Sequence, residues 1–293
     1  MLRAARPPRR RYGGKISDPR QWDVLRPRAW DIVVSTPPKS GTTWMQGILA
    51  LLLSGDADVD AAISRTAPWI DVRGPDQGAL MDALNAQVGR RQMKTHTPLD
   101  GIPLWPDLRY ITVYRHPIDV HLSFRRHVAH MTEDVLQDVF PPDLSEGFRI
   151  FLEGDHFDGA SLASILDHYR STRDLRDQQN VLCLHYADMS ADLPGAMDTV
   201  AAHIGVHHPP PVMARLVDAA RFANMKRNAG RFAVAAGEGF WRNDADFFDS
   251  GTSGKWVDML SDADLAAYDA RMDTLLAPAE RAWLEWGGTE RAE

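Results

Sequence analysis

One cysteine, Cys183, is all the thiol chemistry that the 293-residue chain contains. An intrachain disulfide is therefore excluded, and so is a thiolate-rich zinc site. A reducing compartment, the cytoplasm, is the natural setting. Long apolar runs are missing as well. The best of them, Ile48–Leu53, is far too short to span a bilayer, so no membrane span is expected. Positive charge is in deficit: 33 Lys and Arg stand against 40 Asp and Glu, a net charge of −7. That balance argues against a generic nucleic-acid binder, which needs a broad basic face. It leaves room for an anionic ligand held by a few local cations. The N-terminus, MLRAARPPRRR, is basic but no apolar core follows it, which excludes a secretory signal. Residues 1–29 read as a solvated N-terminal arm, with a transit peptide as the alternative. No internal repeat or low-complexity linker divides the rest, so residues 30–293 read as one domain.

What is present alternates. IVVS (32–35) reads as a buried strand and Thr43–Leu53 as an apolar helix. RQMKTH (91–96), RYITVYRH (109–116) and VLCLHY (181–186) are further strand candidates, rich in β-branched and aromatic residues in the last two cases. Helices are expected over Ile118–His130, Ser161–Gln179, 192–205, 211–223 and 261–285. Strand–helix–strand alternation implies an α/β fold, a central parallel sheet with helices on both faces. Ligands of such sheets sit beyond the carboxyl ends of the strands. Those ends carry Ser35–Thr43, Lys94–His96, Arg115–His116 and Tyr186. The stretch from Lys226 to Trp256 differs: it holds five glycines and little periodicity, the pattern of a lid or binding loop.

Three motifs carry chemistry. In STPPKSGTTW, a strand stops and a helix starts, leaving unpaired N–H groups and the positive helix end aimed at one point. Lys39 adds a charge, Ser40, Thr42 and Thr43 add hydroxyls, and Gly41 lets the backbone approach a ligand. This is an anion seat. Lys39 precedes the glycine, however, whereas an ATP-binding Walker loop puts its lysine after the last glycine. In MKTHTP, Lys94 and His96 are two apart at a strand end and share a face. A histidine there can take a hydroxyl proton, and the lysine can stabilise a leaving group; a structural histidine is an equal reading of the spacing. In YRHPIDVHLSFRRH, Arg115 at a strand end can fork onto a phosphate, and Ser123 lies on the following helix. Arg125, Arg126, His127 and His130 read as a solvated face. His116 and His121 do not make a metal site, because Asp119 falls on another helical face, so no metal is expected.

Taken in order, these pieces resemble the sulfotransferase family that uses 3′-phosphoadenosine 5′-phosphosulfate (PAPS), in the manner of a bacterial-like member of its cytosolic branch. PKSGTTW (38–44) resembles that family's 5′-phosphosulfate loop, KTHTP (94–98) its catalytic strand, and YRHPIDVHLSF (114–124) its 3′-phosphate segment. HYADM (185–189), RFANMKRN (221–228) and FFDSGTSGKW (247–256) are similar to its tyrosine-bearing strand end, its Phe-x-x-Met-Lys segment and its closing loop. The resemblance implies a P-loop-like sulfotransferase fold, PAPS as co-substrate and a small-molecule acceptor bearing a hydroxyl or an amine. It implies catalytic roles for His96 as general base and for Lys39 and Lys94. Lys39, Ser40, Gly41, Thr42 and Thr43 would bind the 5′ end, with Trp44 on the adenine. Arg115 and Ser123 would hold the 3′-phosphate, and Tyr186, Phe222, Met225, Phe248 and Gly251 would complete the cofactor pocket. The chain departs from the pattern in its closing loop, where Asp249 and Ser250 stand in place of an Arg-Lys pair. The family's dimer motif is also absent after Trp256, so the oligomeric state stays open. A P-loop nucleotide kinase and a non-catalytic nucleotide-binding protein on the same fold are the rival readings.

Overall fold

The computed structural model describes residues 2–59, 63–74, 76–130, 136–158, 160–228 and 251–288. Four parallel strands lie in the order β2-β1-β3-β4, with β1 at Ile32–Ser35, β2 at Gln92–Thr95, β3 at Arg109–Tyr114 and β4 at Val181–His185. Helices follow in the order α1 (Thr42–Ser54), α2 (Ile63–Thr66), α3 (Gln77–Ala86), α4 (Pro117–Ala129), α5 (Leu144–Glu153) and α6 (Leu162–Arg173). After β4 come α7 (Tyr186–Ala191), α8 (Leu193–Ile204), α9 (Pro210–Ala220), α10 (Phe222–Arg227), α11 (Asp262–Leu275) and α12 (Pro278–Trp286). The expected α/β architecture is borne out.

Side chains of the sheet alternate between two faces. Ile32 and Val34 of β1, with Ile111 and Val113 of β3, pack against α1, α8 and α9. Val33 and Tyr110 face the opposite core with Trp22 and Leu84, while Tyr114 enters a third cluster with α4, α5, α6 and α11. The chain leaves β1 for β2 on one side and returns to β3 on the other, which opens a crevice beyond the carboxyl ends of β1 and β3.

The expected strands and most helices appear within a few residues of their predicted bounds. The 261–285 stretch is two helices, because Pro278 cannot continue the first and instead starts the second. The periodicity reading missed the short helices α2 and α7 and the longer α3 and α5. Both α3 and α5 are announced by an aspartate, Asp76 and Asp143, whose side chain accepts backbone N–H groups of the first turn. Tyr186 begins α7 rather than ending β4.

The N-terminal arm is solvated only in part: Pro7–Arg11 are exposed, and some of the residues after them are packed. Its Trp22 and Leu25 are buried in the core beside Val33, and Ser17 bridges Val72 in antiparallel sense. Residues 68–72 in turn run along β2, where the Lys94 amide donates to the Pro68 carbonyl and the Ile70 amide to the Lys94 carbonyl. That segment covers the otherwise open edge of β2, and the arm pairs with the segment in turn, a role that the arm's basic, proline-rich composition did not announce. Among the described residues, no helix is long and apolar enough to cross a membrane.

Candidate active site

Strand β1 ends at Ser35, and α1 begins at Thr42 with Gly41 as its N-cap. Two residues of the connecting turn adopt left-handed backbone, Lys39 at φ 65° and Gly41 at φ 112°. For glycine this conformation is free; for lysine it costs energy, and such strain concentrates at functional loops. A Cβ at position 41 would meet the Tyr186 ring at 3.1 Å, so glycine is needed for space as well. No side chain caps the helix, which leaves its first amides turned to the crevice. The Ser40 hydroxyl oxygen is buried and has no hydrogen-bond partner among the described residues. Thr42 and Thr36 pair through their hydroxyls at 2.5 Å, tying the helix start to the strand end.

The β1–β2 register pairs Ser35 with Thr95, which sets Thr36 beside His96. His96 Nδ1 lies 2.9 Å from the Thr36 carbonyl oxygen. A carbonyl can only accept, so Nδ1 carries the proton and Nε2 keeps its lone pair. Burial, then the charge of Lys94, depresses the His96 pKa to about 3, and the bond to Thr36 opposes this only in part. The ring is therefore neutral at physiological pH. Lys94 is buried in turn, with its Nζ 4.9 Å above the Trp69 ring. Burial lowers its pKa to about 8, against the opposing pull of Asp71. The His96 and Trp69 rings meet edge to face, their centroids 4.8 Å apart.

His127, assigned to a solvated face, belongs to this group. Its Nδ1 accepts from Lys39 Nζ at 2.9 Å. Burial and the surrounding Lys39, Lys94 and His96 hold its pKa well below the ordinary value. The signal was present in the helix: His127 is four residues after Ser123 on α4 and shares its face. The other two histidines of the motif are structural. His116 caps α4 by accepting the Ile118 N–H, and His121 packs against Phe140, Phe148 and Phe151.

Arg115 closes the crevice from β3. Its guanidinium lies 4.6 Å over the Tyr186 ring and donates to the Thr252 carbonyl at 2.9 Å, while its buried Nε stands 3.9 Å from Asp119 Oδ2 and has no hydrogen-bond partner among the described residues. Tyr186 donates to the Gly251 carbonyl at 3.0 Å. Gly251, at φ 70°, sits so close to Phe222 that an added Cβ would come within 2.8 Å of that ring. Trp44 packs edge to face on Tyr186 and donates its indole N–H to the Ala220 carbonyl at 2.8 Å. Met225 is buried in the same cluster. Loop, strand end, Arg115, Tyr186 and Gly251 thus converge. Phe248, Asp249 and Ser250 lie outside the described residues.

A family model described as "Sulfotransferase domain" matches residues 30–280. A glycolipid sulfotransferase of Mycobacterium bovis is 32% identical, with 94% of each chain covered. Sulfotransferase 1C2 of Rattus norvegicus is 29% identical over 71% of this chain and 70% of its own. Among solved structures, mouse sulfotransferase SULT7A1 complexed with PAP superposes with a TM-score of 0.73 at 21% identity, covering 95% of this chain and 98% of that one. Retinol dehydratase in a complex with retinol and PAP gives 0.72 at 21% identity, covering 88% and 84%.

Proposed function

Because the chain belongs to the sulfotransferase family, we propose that it moves the sulfuryl group of PAPS to an acceptor hydroxyl or amine, with His96 as general base. The observation that carries this reading is a neutral imidazole with a free Nε2, held within one crevice with Lys94 and an uncapped helix start. The donor's fit rests on orphaned groups. Ser40 Oγ and Arg115 Nε are buried polar atoms that an anionic ligand would satisfy. PAPS, when bound, supplies an activated sulfur and a bisphosphate leaving group.

The chain's own residues do the rest. Lys39, Ser40, Thr42, Thr43 and the amides from Gly41 onward hold the 5′ end. Arg115 and Ser123 hold the 3′-phosphate, and Trp44, Tyr186, Phe222, Met225, Phe248 and Gly251 frame the nucleoside. His96 Nε2 takes the acceptor proton, and the Thr36 carbonyl stabilises the charged ring that results. Lys94 and Lys39 meet negative charge on the departing oxygen. The mycobacterial relative is a glycolipid sulfotransferase, which makes a glycolipid hydroxyl the first acceptor to try. Thermal shift by PAPS and adenosine 3′,5′-bisphosphate, but not by ATP with Mg²⁺, is the expected result; stabilisation by ATP with Mg²⁺ alone would favour a nucleotide kinase.

Two further outcomes follow. Arg115→Ala removes a charged donor to the 3′-phosphate and weakens bisphosphate binding about 10–100-fold by calorimetry. The kcat/KM profile reports the free enzyme. Lys94 carries charge only when protonated, so kcat/KM falls as pH rises through about 8. His96 must be unprotonated to act, so its acid limb lies far below the ordinary histidine range, toward about 3.

A further inference from the structure

Asp71 is fully buried, yet no element of the reaction above uses it. Its carboxylate accepts four hydrogen bonds. Oδ1 takes the Trp69 indole N–H at 2.6 Å. Oδ2 takes the Trp22 indole N–H at 3.0 Å, the Thr95 hydroxyl at 2.5 Å and the Thr97 hydroxyl at 2.7 Å. Two of these partners can only donate. A third, Thr95 Oγ1, already accepts the Thr97 amide, so its own proton turns to Asp71. Burial pushes the Asp71 pKa up, and the four donors pull it part of the way back down; the donor set matches an ionised carboxylate and leaves little for a protonated one to donate to.

Its partners bracket the reacting strand end. Thr95 and Thr97 flank His96, and Trp69 touches both Lys94 and His96. We propose that Asp71 is a positioning residue of the sulfuryl transfer: it fixes the strand end through Thr95 and Thr97, and the Trp69 ring against Lys94 and His96. This rests on the reading of His96 and Lys94 given above. Trp22 brings the N-terminal arm into the same clamp, so the arm's packing is coupled to the site.

The charge of Asp71 has a separate consequence. Lys94 is faced by Asp71 from the 68–72 segment, by His96 from its own strand end and by His127 from α4, while Lys39 of the loop faces His96 and His127, and His168 of α6 faces His96. Asp71 is the one anion in this set. It opposes the effect of burial and so favours the protonated Lys94 that the reaction needs.

Asp71→Asn tests both consequences. An asparagine can offer its carbonyl to the three donors on one side only by turning its NH₂ toward the Trp69 N–H. The charge is lost and the Trp69 anchor becomes a clash. With PAPS as donor and octyl glucoside or phenol as acceptor, kcat should fall about 100-fold, as misplacement of a reacting group does. Affinity for adenosine 3′,5′-bisphosphate should stay near that of the wild type, and the basic limb of kcat/KM should move to lower pH. Trp69→Phe keeps the ring and removes the N–H. It should lower kcat less, leave the basic limb in place, and relieve part of the loss when combined with Asp71→Asn. A folded Asp71→Asn protein with wild-type kcat and an unmoved basic limb overturns the proposal. If that variant does not fold, wild-type kcat in Trp69→Phe overturns it. Absence of transfer by the wild-type chain itself overturns the sulfuryl-transfer reading and this role with it, whereas equal transfer by wild type and variant removes only the role of Asp71.

Discussion

His96→Ala should lower kcat for sulfuryl transfer by about 1,000-fold, a general base being worth about 10²–10⁴. Bisphosphate affinity should hardly change. The two expectations separate because of where the ring sits. Among the described residues its hydrogen bond runs from Nδ1 to the Thr36 carbonyl, and its ring meets Trp69 edge to face. The loop residues proposed to face the 5′ end are held independently, by the Thr36–Thr42 hydroxyl pair and by α1. Loss of the ring therefore removes the proton acceptor without dismantling the anion seat. An effect on kcat and kcat/KM alike, at constant bisphosphate binding, is the signature of an interaction made in the transition state. His127 is the nearest substitute base, but its Nδ1 is occupied by Lys39. Near-wild-type turnover in His96→Ala would remove His96 from the base role and direct attention to His127. A steady-state assay with PAPS, paired with calorimetry on the bisphosphate, decides between these outcomes.

The anion-binding turn was readable in the residues because it is local. A strand, a Lys-Ser-Gly-Thr-Thr turn and an apolar helix lie within one short stretch, and the physics of an uncapped helix start needs no long-range information. The Lys94/His96 pair was placed by strand period, and the structure adds the register that puts Thr36 against His96. What could not be read was non-local. Asp71 has no motif around it, and its importance appears only when residues 22, 69, 95 and 97 are brought to one point. His127 looked solvated because it stands among arginines, yet helical spacing from Ser123 turns it inward. The arm looked solvated because seven of its first eleven residues are arginine or proline; Trp22, further along, was the better guide. A tryptophan in a basic leader has a large apolar area to bury, roughly 1.5–3 kcal/mol for a side chain of this class, and seeks a core.

Asp31→Ala is the complementary case, a large loss of stability with little effect on the chemistry. Asp31 precedes β1 and Arg91 precedes β2, at the end of the sheet opposite the crevice. Both side chains are buried, at 1% and 0% exposure. Arg91 Nε donates to Asp31 Oδ1 at 3.0 Å, its Nη1 to Asn85 Oδ1 at 3.1 Å and its Nη2 to the Arg26 carbonyl at 2.8 Å. The second Asp31 oxygen also accepts the Arg28 amide at 2.7 Å. One ion pair thus joins the arm, two strand starts and α3. Removing the carboxylate leaves a buried guanidinium with neutral partners only, which costs about 3–5 kcal/mol. For a chain of this size that corresponds to a fall in Tm of about 10 °C. The cost belongs to the uncompensated charge rather than to the pair, because burying two charges is itself unfavourable. Arg91→Met added to Asp31→Ala should therefore recover part of the loss, and a double-mutant cycle by urea denaturation measures how much. Activity per folded molecule should stay at the wild-type level in both variants, since neither side chain reaches Lys39, Lys94 or His96. A Tm unchanged by Asp31→Ala would mean that water reaches Arg91 in the variant and that the arm, not the ion pair, holds this end of the sheet together.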